Sequence, residues 1–234
     1  SILCKLKALI QLDVGYLCLN RSIPTLSGGE RQRVRIATQL TCSLKGLIYI
    51  LDEPCKGLHY RDITKIVKAT RDLIHRGNTV IAIEHNKQYM SSSDCIVELG
   101  PVGGPDGGYL ISQSSTPKNI RYQLAFKQAL KVRDYFEVNN INFRNIHGQN
   151  ARFPIGGITC ITGVSGSGKS TLAAVVARCF SRKSDNIYGT VQGGKNIHRV
   201  IQVNQSPIGK TPRSTIVSYL GIFDEIRTLF SKTD

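Results

Sequence analysis

The sequence lacks any apolar run of the roughly 20 residues that a membrane-spanning helix needs. It also lacks a basic segment followed by an apolar segment and a cleavage site at its start. Neither secretion nor membrane insertion is indicated, and we expect a cytoplasmic protein with no membrane partner. The chain opens on Ser1 instead of Met, inside an apparent helix, which suggests a fragment of something longer.

Paired cysteines are also missing. The seven cysteines are scattered, none belongs to a C-x-x-C pair, and most lie in apolar surroundings, where a thiol acts as a small apolar side chain. The pattern therefore excludes a disulfide framework and offers no zinc site. It is typical of a protein in a reducing cytosol.

Acidic residues are scarce relative to basic ones, 16 against 31, so the formal net charge is +15. The excess is larger in residues 121–234 than in residues 1–120. Such a charge favours a polyanion as partner, nucleic acid ahead of a membrane surface or an acidic protein. The hydrophobic content of 41% suffices for a real core, in one large α/β domain or two small ones.

The pattern G-x-x-x-x-G-K-[ST] runs from Gly163 to Ser170, between an apolar run and a helical run. Glycine backbone angles let successive N–H groups turn toward phosphates at the positive N-terminus of the following helix. Lys169 can reach the β- and γ-phosphates, and the Ser170 hydroxyl a Mg²⁺. An ordinary glycine-rich turn is the alternative. The predicted nucleotide contacts are Gly163, Ser165, Gly166, Ser167, Gly168, Lys169, Ser170 and Thr171.

A second glycine-containing helix start lies at Ser27. Ser27 and Glu30 have the S-x-x-E spacing of a capping box, so a helix should start at Ser27. Gly28 and Gly29 are poor helix formers in its first turn, which suggests that something approaches the backbone there. From the box alone, an ordinary capped helix is the better interpretation.

Two carboxylates follow an apolar run at residues 47–51 that predicts a buried parallel strand. Asp52 and Glu53 would be costly there unless they met a cation or a reacting group. In P-loop ATPases an Asp at this place holds Mg²⁺, and a Glu beside it can polarise the attacking water. A surface turn of the D-E-P type is the alternative.

A histidine is predicted at the same edge of the sheet. A helix and a second buried strand at residues 79–83 follow the first strand, an order that predicts a right-handed crossover. The second strand ends in Glu84 and His85, so His85 is placed to meet a γ-phosphate. A solitary His at a strand end is more often merely solvated.

The other elements are predicted in outline. Residues 113–120 read as a linker, close to a domain boundary, and residues 121–134 as a basic helix. Exposed antiparallel strands are predicted at 136–138 and 141–143. The remaining predicted elements are strands at 95–99, 109–112 and 199–203, a loop at 100–108, and a helix at 222–230.

Together these motifs resemble the ABC-type ATPases, with the P-loop at Gly163, a signature at Ser27, a Walker B pair at Asp52, a switch histidine at His85 and a Q-loop at Gln205. The details resemble the UvrA family over nearly the whole chain. The stretches that carry this likeness are residues 25–35, residues 51–59 and the family-specific residues 205–214.

The resemblance implies an α/β fold: a P-loop NTPase of ABC type, with a mostly parallel sheet, flanking helices and a small antiparallel β subdomain. UvrA proteins carry two nucleotide-binding domains in tandem. Set against them, residues 1–120 are the C-terminal part of the first domain, and residues 121–234 the N-terminal part of the second.

The resemblance also implies an ATPase that recognises DNA damage in bacterial nucleotide excision repair, using ATP and Mg²⁺. Glu53 and His85 would be catalytic, and Asp52 and Ser170 would hold Mg²⁺. Gln205 and the signature residues Ser27, Gly28 and Gly29 would add nucleotide contacts. Its implied partners are DNA, a second copy of the parent protein and other excision-repair subunits. Zinc is expected in the family, but no ligand can be carried over to this chain.

Other functions stay open. Arg31 and Cys55 stand where the family often has small residues, so a drug-resistance paralogue of UvrA is one alternative. A transporter's motor domain is another, although the charge and residues 205–214 speak against it. The third is a fragment that binds nucleotide without turnover.

Because the signature and Walker B precede the P-loop, two arrangements are possible. In a split site, Asp52, Glu53 and His85 serve an absent first P-loop, while the signature closes over Gly163. In a permuted domain, the strand at 47–51 shares one sheet with the strand at Ile158. The sequence favours the split site, because buried parallel strands tolerate re-pairing poorly.

Overall fold

The computed structural model describes residues 2–41, 44–114, 134–180, 187–203 and 215–232. Most of the predicted linker, the predicted basic helix up to residue 133, and the Q-loop stretch with Gln205 lie outside these ranges. The chain divides into two compact units: Ser1–Ser43, Lys56–Ala69 and Asn204–Asp234 form the first, and Leu44–Cys55 and Thr70–Val203 the second. These are packing units, so the assignment of residues 1–120 and 121–234 to two parental domains stays a prediction.

The first unit is helical. Its helices are α1 (Ile2–Gln11), α2 (Gly28–Leu40), the beginning of α3 (Tyr60–His75), α6 (Ile216–Tyr219) and α7 (Ile222–Phe230), with a 3₁₀ turn at Ile23–Thr25. An ion pair between Lys5 and Glu225 joins α1 to α7. The helix predicted at residues 222–230 is confirmed.

A six-stranded sheet forms the centre of the second unit, in the order β4-β3-β7-β2-β1-β9. All its pairs are parallel except β3 with β4. The predicted mostly parallel sheet is thereby confirmed. The strands are β1 (Leu47–Asp52), β2 (Thr79–Ile83), β3 (Cys95–Gly100), β4 (Tyr109–Ser114), β7 (Ile158–Gly163) and β9 (Arg199–Val203).

The apolar runs explain this sheet. Every residue of β2 is buried, as are the first five of β1 and the first four of β7, which fits strands covered on both faces. Strand β4 runs on to Ser114, so the prediction that the linker begins at residue 113 is wrong by two residues. Gln113 is held in the sheet opposite Val97.

The split arrangement, which the sequence favours, predicts that β1 and β7 lie in different sheets. This prediction is wrong, because both strands belong to the six-stranded sheet. Strand β2 stands between them, with Asp52 opposite Ile83 and Ile83 opposite Ile161. The physical reason is that a buried parallel strand needs hydrogen-bond partners along both edges. Strand β7 finds both within the chain, β2 on one edge and β3 on the other.

A separate antiparallel sheet of three strands, in the order β6-β5-β8, lies in the same unit. Its strands are β5 (Tyr135–Phe143), β6 (Ile146–Pro154) and β8 (Thr190–Gly193). The two exposed strands predicted at 136–138 and 141–143 are in fact one strand, and Phe136, Val138 and Ile141 on it are fully buried. The register shifts between Val138 and Ile141, which accounts for the break in the sequence pattern.

The core of this unit contains side chains from both sheets and from helix α5 (Lys169–Cys179). Phe136 stacks on Phe153 with ring centroids 5.0 Å apart, and both side chains contribute to that core beside Val175 and Val176. A short helix, α4 (Lys87–Ser91), follows β2. None of the helices that the structure describes is long and apolar enough to cross a membrane.

Candidate nucleotide-binding site

The P-loop connects the carboxyl end of β7 to the first turn of α5. Gly163, Gly166 and Gly168 have φ values of 142°, 77° and 97°, which only glycine adopts readily. A Cβ atom on Gly163 would overlap the Leu99 carbonyl oxygen, so this position is also closed by packing. The loop therefore turns as predicted, and the first backbone N–H groups of α5, which have no acceptor inside the helix, point out of its start.

The lysine of the P-loop bonds back to the loop's own backbone. Lys169 Nζ donates to the carbonyl oxygens of Gly163 at 3.0 Å and Val164 at 2.7 Å. Partial burial lowers the pKa of the Lys169 ammonium from its ordinary value, while the carboxylates of Glu53 and Asp52 act in the opposite direction. Those two carboxylates are thus near enough to the P-loop lysine to act on its charge.

The acidic pair lies where β1 ends, one strand away from β2 and two from β7. Glu53 has a φ of 46°, in the left-handed region that residues with a side chain seldom occupy. Its N–H donates to the Ile83 carbonyl at 3.0 Å, which ties it to the end of β2. A strained backbone of this kind persists only where its surroundings fix it.

The turn after β2 carries His85, whose side chain is exposed. The residue before it, Glu84, is buried, and its backbone N–H donates to Ile161 of β7 at 3.1 Å. The carboxyl ends of β7, β2 and β1 therefore bring the P-loop, His85 and the acidic pair to one edge of one sheet. Strand β9 ends at the same edge with Val203 opposite Leu51, and Gln205 follows outside the described residues.

Sequence reasoning missed the groups that support the P-loop from outside. Asn145 Nδ2 donates to the Gly166 carbonyl at 3.1 Å, and the Gly104 N–H donates to the same oxygen at 3.1 Å. A Cβ on Gly103 would overlap the Ser165 carbonyl oxygen, so only glycine at position 103 allows the two loops to lie this close together. The run of glycines at residues 100–108 predicts a loop, but nothing in the sequence indicates what that loop packs against.

The signature lies in the helical unit. Ser27 caps α2 through a complete capping box: Ser27 Oγ accepts from the Glu30 N–H at 3.2 Å, and Glu30 Oε2 accepts from the Ser27 N–H at 2.7 Å. Tyr16 donates a further hydrogen bond of 2.7 Å to Glu30. The predicted helix start is confirmed. A Cβ on Gly28 would meet nothing within 4 Å among the described residues, so packing there does not require glycine.

The residues present fit a nucleotide with a divalent cation. Ser167 Oγ is buried within the loop and has no hydrogen-bond partner among the described residues, so its hydrogen-bonding capacity is unused there. In the described ranges no three His, Cys, Asp or Glu side chains cluster as ligands for a metal. Asp52 at the end of β1 and Ser170 in the first turn of α5 carry oxygen groups of the kind that Mg²⁺ binds, together with phosphates and water.

A parallel sheet with a P-loop, an acidic pair and a histidine at one edge defines a P-loop NTPase, and the capped signature helix is that of the ABC type. Comparison with known proteins gives the family. The chain is 38% identical over 255 aligned residues to UvrABC system protein A of Clostridium acetobutylicum, covering 100% of this chain and 27% of that protein. It is 39% identical over 257 residues to UvrABC system protein A of Aquifex aeolicus, covering 100% of this chain and 28% of that protein.

These matches confirm the resemblance predicted from the motifs, and the chain is a UvrA-family sequence over the segment that it covers. It spans about a quarter of the length of these relatives. A solved structure, UvrA2 from Deinococcus radiodurans, is 37% identical with a TM-score of 0.46, covering 98% of this chain and 30% of that one. No family model matches the chain.

Proposed function

We propose that the chain binds ATP with Mg²⁺ at its P-loop and hydrolyses it with its own Walker B pair. The observation that supports this is the sheet order, in which one strand separates β1 from β7, so that Asp52 and Glu53 lie at the edge that carries Lys169. A site built from one sheet does not need a carboxylate from elsewhere in the parent protein.

Each residue has a separate role in this proposal. The loop N–H groups and Lys169 bind the phosphates, and the Ser167 hydroxyl is available to donate to them. Asp52 and Ser170 hold Mg²⁺, which would neutralise charge on the phosphate oxygens. Glu53 orients a water and accepts its proton, and His85 contacts the terminal phosphate. For Gln205 and the signature residues Ser27, Gly28 and Gly29 we propose nucleotide contacts because the resemblance to the UvrA family implies them.

For the parent protein we propose the role that the resemblance implies, an ATP-driven DNA-damage recognition subunit of nucleotide excision repair in the cytoplasm. DNA, a second copy of the parent and other excision-repair subunits are its proposed partners. The identity to UvrABC system protein A and the net charge of +15 support this. A drug-resistance paralogue is the second candidate, because Arg31 and Cys55 replace residues that are often small in the family.

A DNA-binding titration tests the proposal that DNA is a partner. We expect the chain to bind duplex DNA weakly and without regard to sequence, because the excess of basic residues, larger in residues 121–234, would contact phosphates rather than bases. Affinity should fall by roughly tenfold or more between about 50 and 200 mM salt, since binding to phosphates releases counterions. A filter-binding or anisotropy titration at several salt concentrations measures this, with ATP turnover followed in the same samples. Salt-independent affinity, or binding confined to particular base sequences, would contradict the proposal.

A further inference from the structure

One buried carboxylate at the sheet edge has no part in the predicted chemistry. Glu84, at the end of β2, is only 2% exposed. A buried carboxylate is costly unless hydrogen bonds compensate for the lost water. Among the described residues, three backbone N–H groups donate to Glu84: Cys55 to Oε1 at 2.8 Å, and His85 at 2.9 Å and Asn86 at 2.8 Å to Oε2. The Cys55 thiol also hydrogen-bonds to the Glu84 carboxylate.

These bonds join two different turns. Cys55 belongs to the turn after β1 that carries Asp52 and Glu53, whereas His85 and Asn86 belong to the turn after β2. Pro54 has no N–H, so Cys55 supplies the first N–H after Glu53 by which the turn can be held. The Glu84 side chain is therefore the link between the acidic pair and the histidine.

The link also holds the backbone of Glu53 in its unusual conformation. Glu53 has a positive φ, which costs free energy and persists only where the surroundings fix it. Its own N–H is fixed on one side by the Ile83 carbonyl. On the other side, two residues later, the Cys55 N–H is fixed by the carboxylate of Glu84. Ile83, the last residue of β2, and Glu84, which follows it, thus hold the turn at Glu53 and at Cys55.

We infer that Glu84 is a positioning residue, which sets the place of Glu53 relative to His85 through its three backbone hydrogen bonds. The inference rests on the proposed function for its effect on turnover, but the link between the two turns can be measured without nucleotide. A glutamine at this position has only one acceptor oxygen. With that oxygen kept toward His85 and Asn86, the bond to Cys55 is lost.

The test compares the wild-type chain with Glu84→Gln, and uses Glu98→Gln on the exposed side of β3 as the matched control. Amide hydrogen exchange at Cys55 reports the link directly. We expect the exchange rate there to rise by about tenfold or more in Glu84→Gln, because the free energy of a hydrogen bond to a charged group corresponds to a change of that size. The His85 and Asn86 amides should keep their protection, and Glu98→Gln should match the wild type at all three.

Turnover and ATP affinity separate positioning from a general loss of structure. We expect Glu84→Gln to lower kcat by about tenfold while ATP affinity stays within about twofold, because the P-loop keeps its own contacts. If Glu84→Gln fails to fold, Glu84→Asp replaces it, since the shorter side chain keeps the charge but cannot reach all three N–H groups. Unchanged exchange at Cys55 would overturn the inference, as would raised exchange with unchanged turnover. If the wild type binds ATP without turnover, the proposed function is overturned instead. Amide exchange at Cys55 would then still show whether Glu84 joins the two turns.

Discussion

The glycines of the P-loop and those of the signature differ in what requires them. Gly163 has a positive φ, and a Cβ atom on it would overlap the carbonyl oxygen of Leu99. Gly28 has no such backbone angle, and a Cβ atom on it would meet nothing within 4 Å among the described residues. The P-loop glycine is therefore explained by the fold of this chain, whereas Gly28 needs another reason.

The difference teaches what kind of function each motif has. A glycine that packing requires maintains the shape of the backbone, and the P-loop owes its shape to contacts within this chain. A glycine that packing does not require fits a place where another molecule approaches the backbone. We expect substitutions in the P-loop to affect folding and binding together, and substitutions at Gly28 to leave folding intact.

The largest expected effect is on nucleotide binding. Lys169→Ala should lower ATP affinity by on the order of 100-fold, because it removes the cation that the loop holds for the phosphates. Isothermal titration calorimetry measures this, with the exposed Lys195→Ala as control. Equal affinity in wild type and Lys169→Ala would mean that the loop does not hold phosphates.

The next effect is on folding, and it tests the comparison itself. Gly163→Ala should lower the free energy of unfolding by on the order of 3 kcal/mol, because both the φ of 142° and the Leu99 carbonyl oppose a side chain. Gly28→Ala should raise the free energy of unfolding, by less than about 1 kcal/mol, because alanine is the better helix former. Chemical denaturation of both variants measures the difference. Similar losses in the two would remove the distinction between the glycines.

A smaller effect is expected at the neighbouring cap. Ser27→Ala should lower the free energy of unfolding by about 1 kcal/mol, since it removes the side-chain acceptor for the Glu30 N–H. The sign is opposite to that expected for the adjacent Gly28→Ala. Denaturant titration followed by circular dichroism measures the free energy of unfolding of both variants. If Gly28→Ala lowers it as much as Ser27→Ala does, Gly28 is required by the fold of this chain and not by contacts with another molecule.

Local patterns predicted much of this molecule. The apolar runs before Asp52, Glu84 and Gly163 specify buried strands, because a strand covered on both faces has few polar residues. The capping box at Ser27 depends on neighbours three residues apart, so the sequence shows it directly. The residue types at the sheet edge followed from the same local reasoning.

Long-range pairing could not be predicted in the same way. Nothing in the run at residues 47–51 indicates which strand lies beside β1. The sequence therefore favoured separate sheets for β1 and β7, which the sheet order contradicts. The support of the P-loop by Asn145 depends on a contact across 21 residues. The hydrogen bond that the Cys55 N–H donates to Glu84 likewise connects residues that only the folded sheet brings together.

The most direct test of a single complete site is steady-state ATP hydrolysis by the wild-type chain and by Glu53→Gln. If the Walker B pair serves this P-loop, the wild type should turn over ATP, and Glu53→Gln should lose about 100-fold or more in kcat while binding ATP within about twofold of the wild type. No turnover by the wild type, or equal turnover by the two proteins, would contradict a site in which Glu53 acts on nucleotide bound at Lys169.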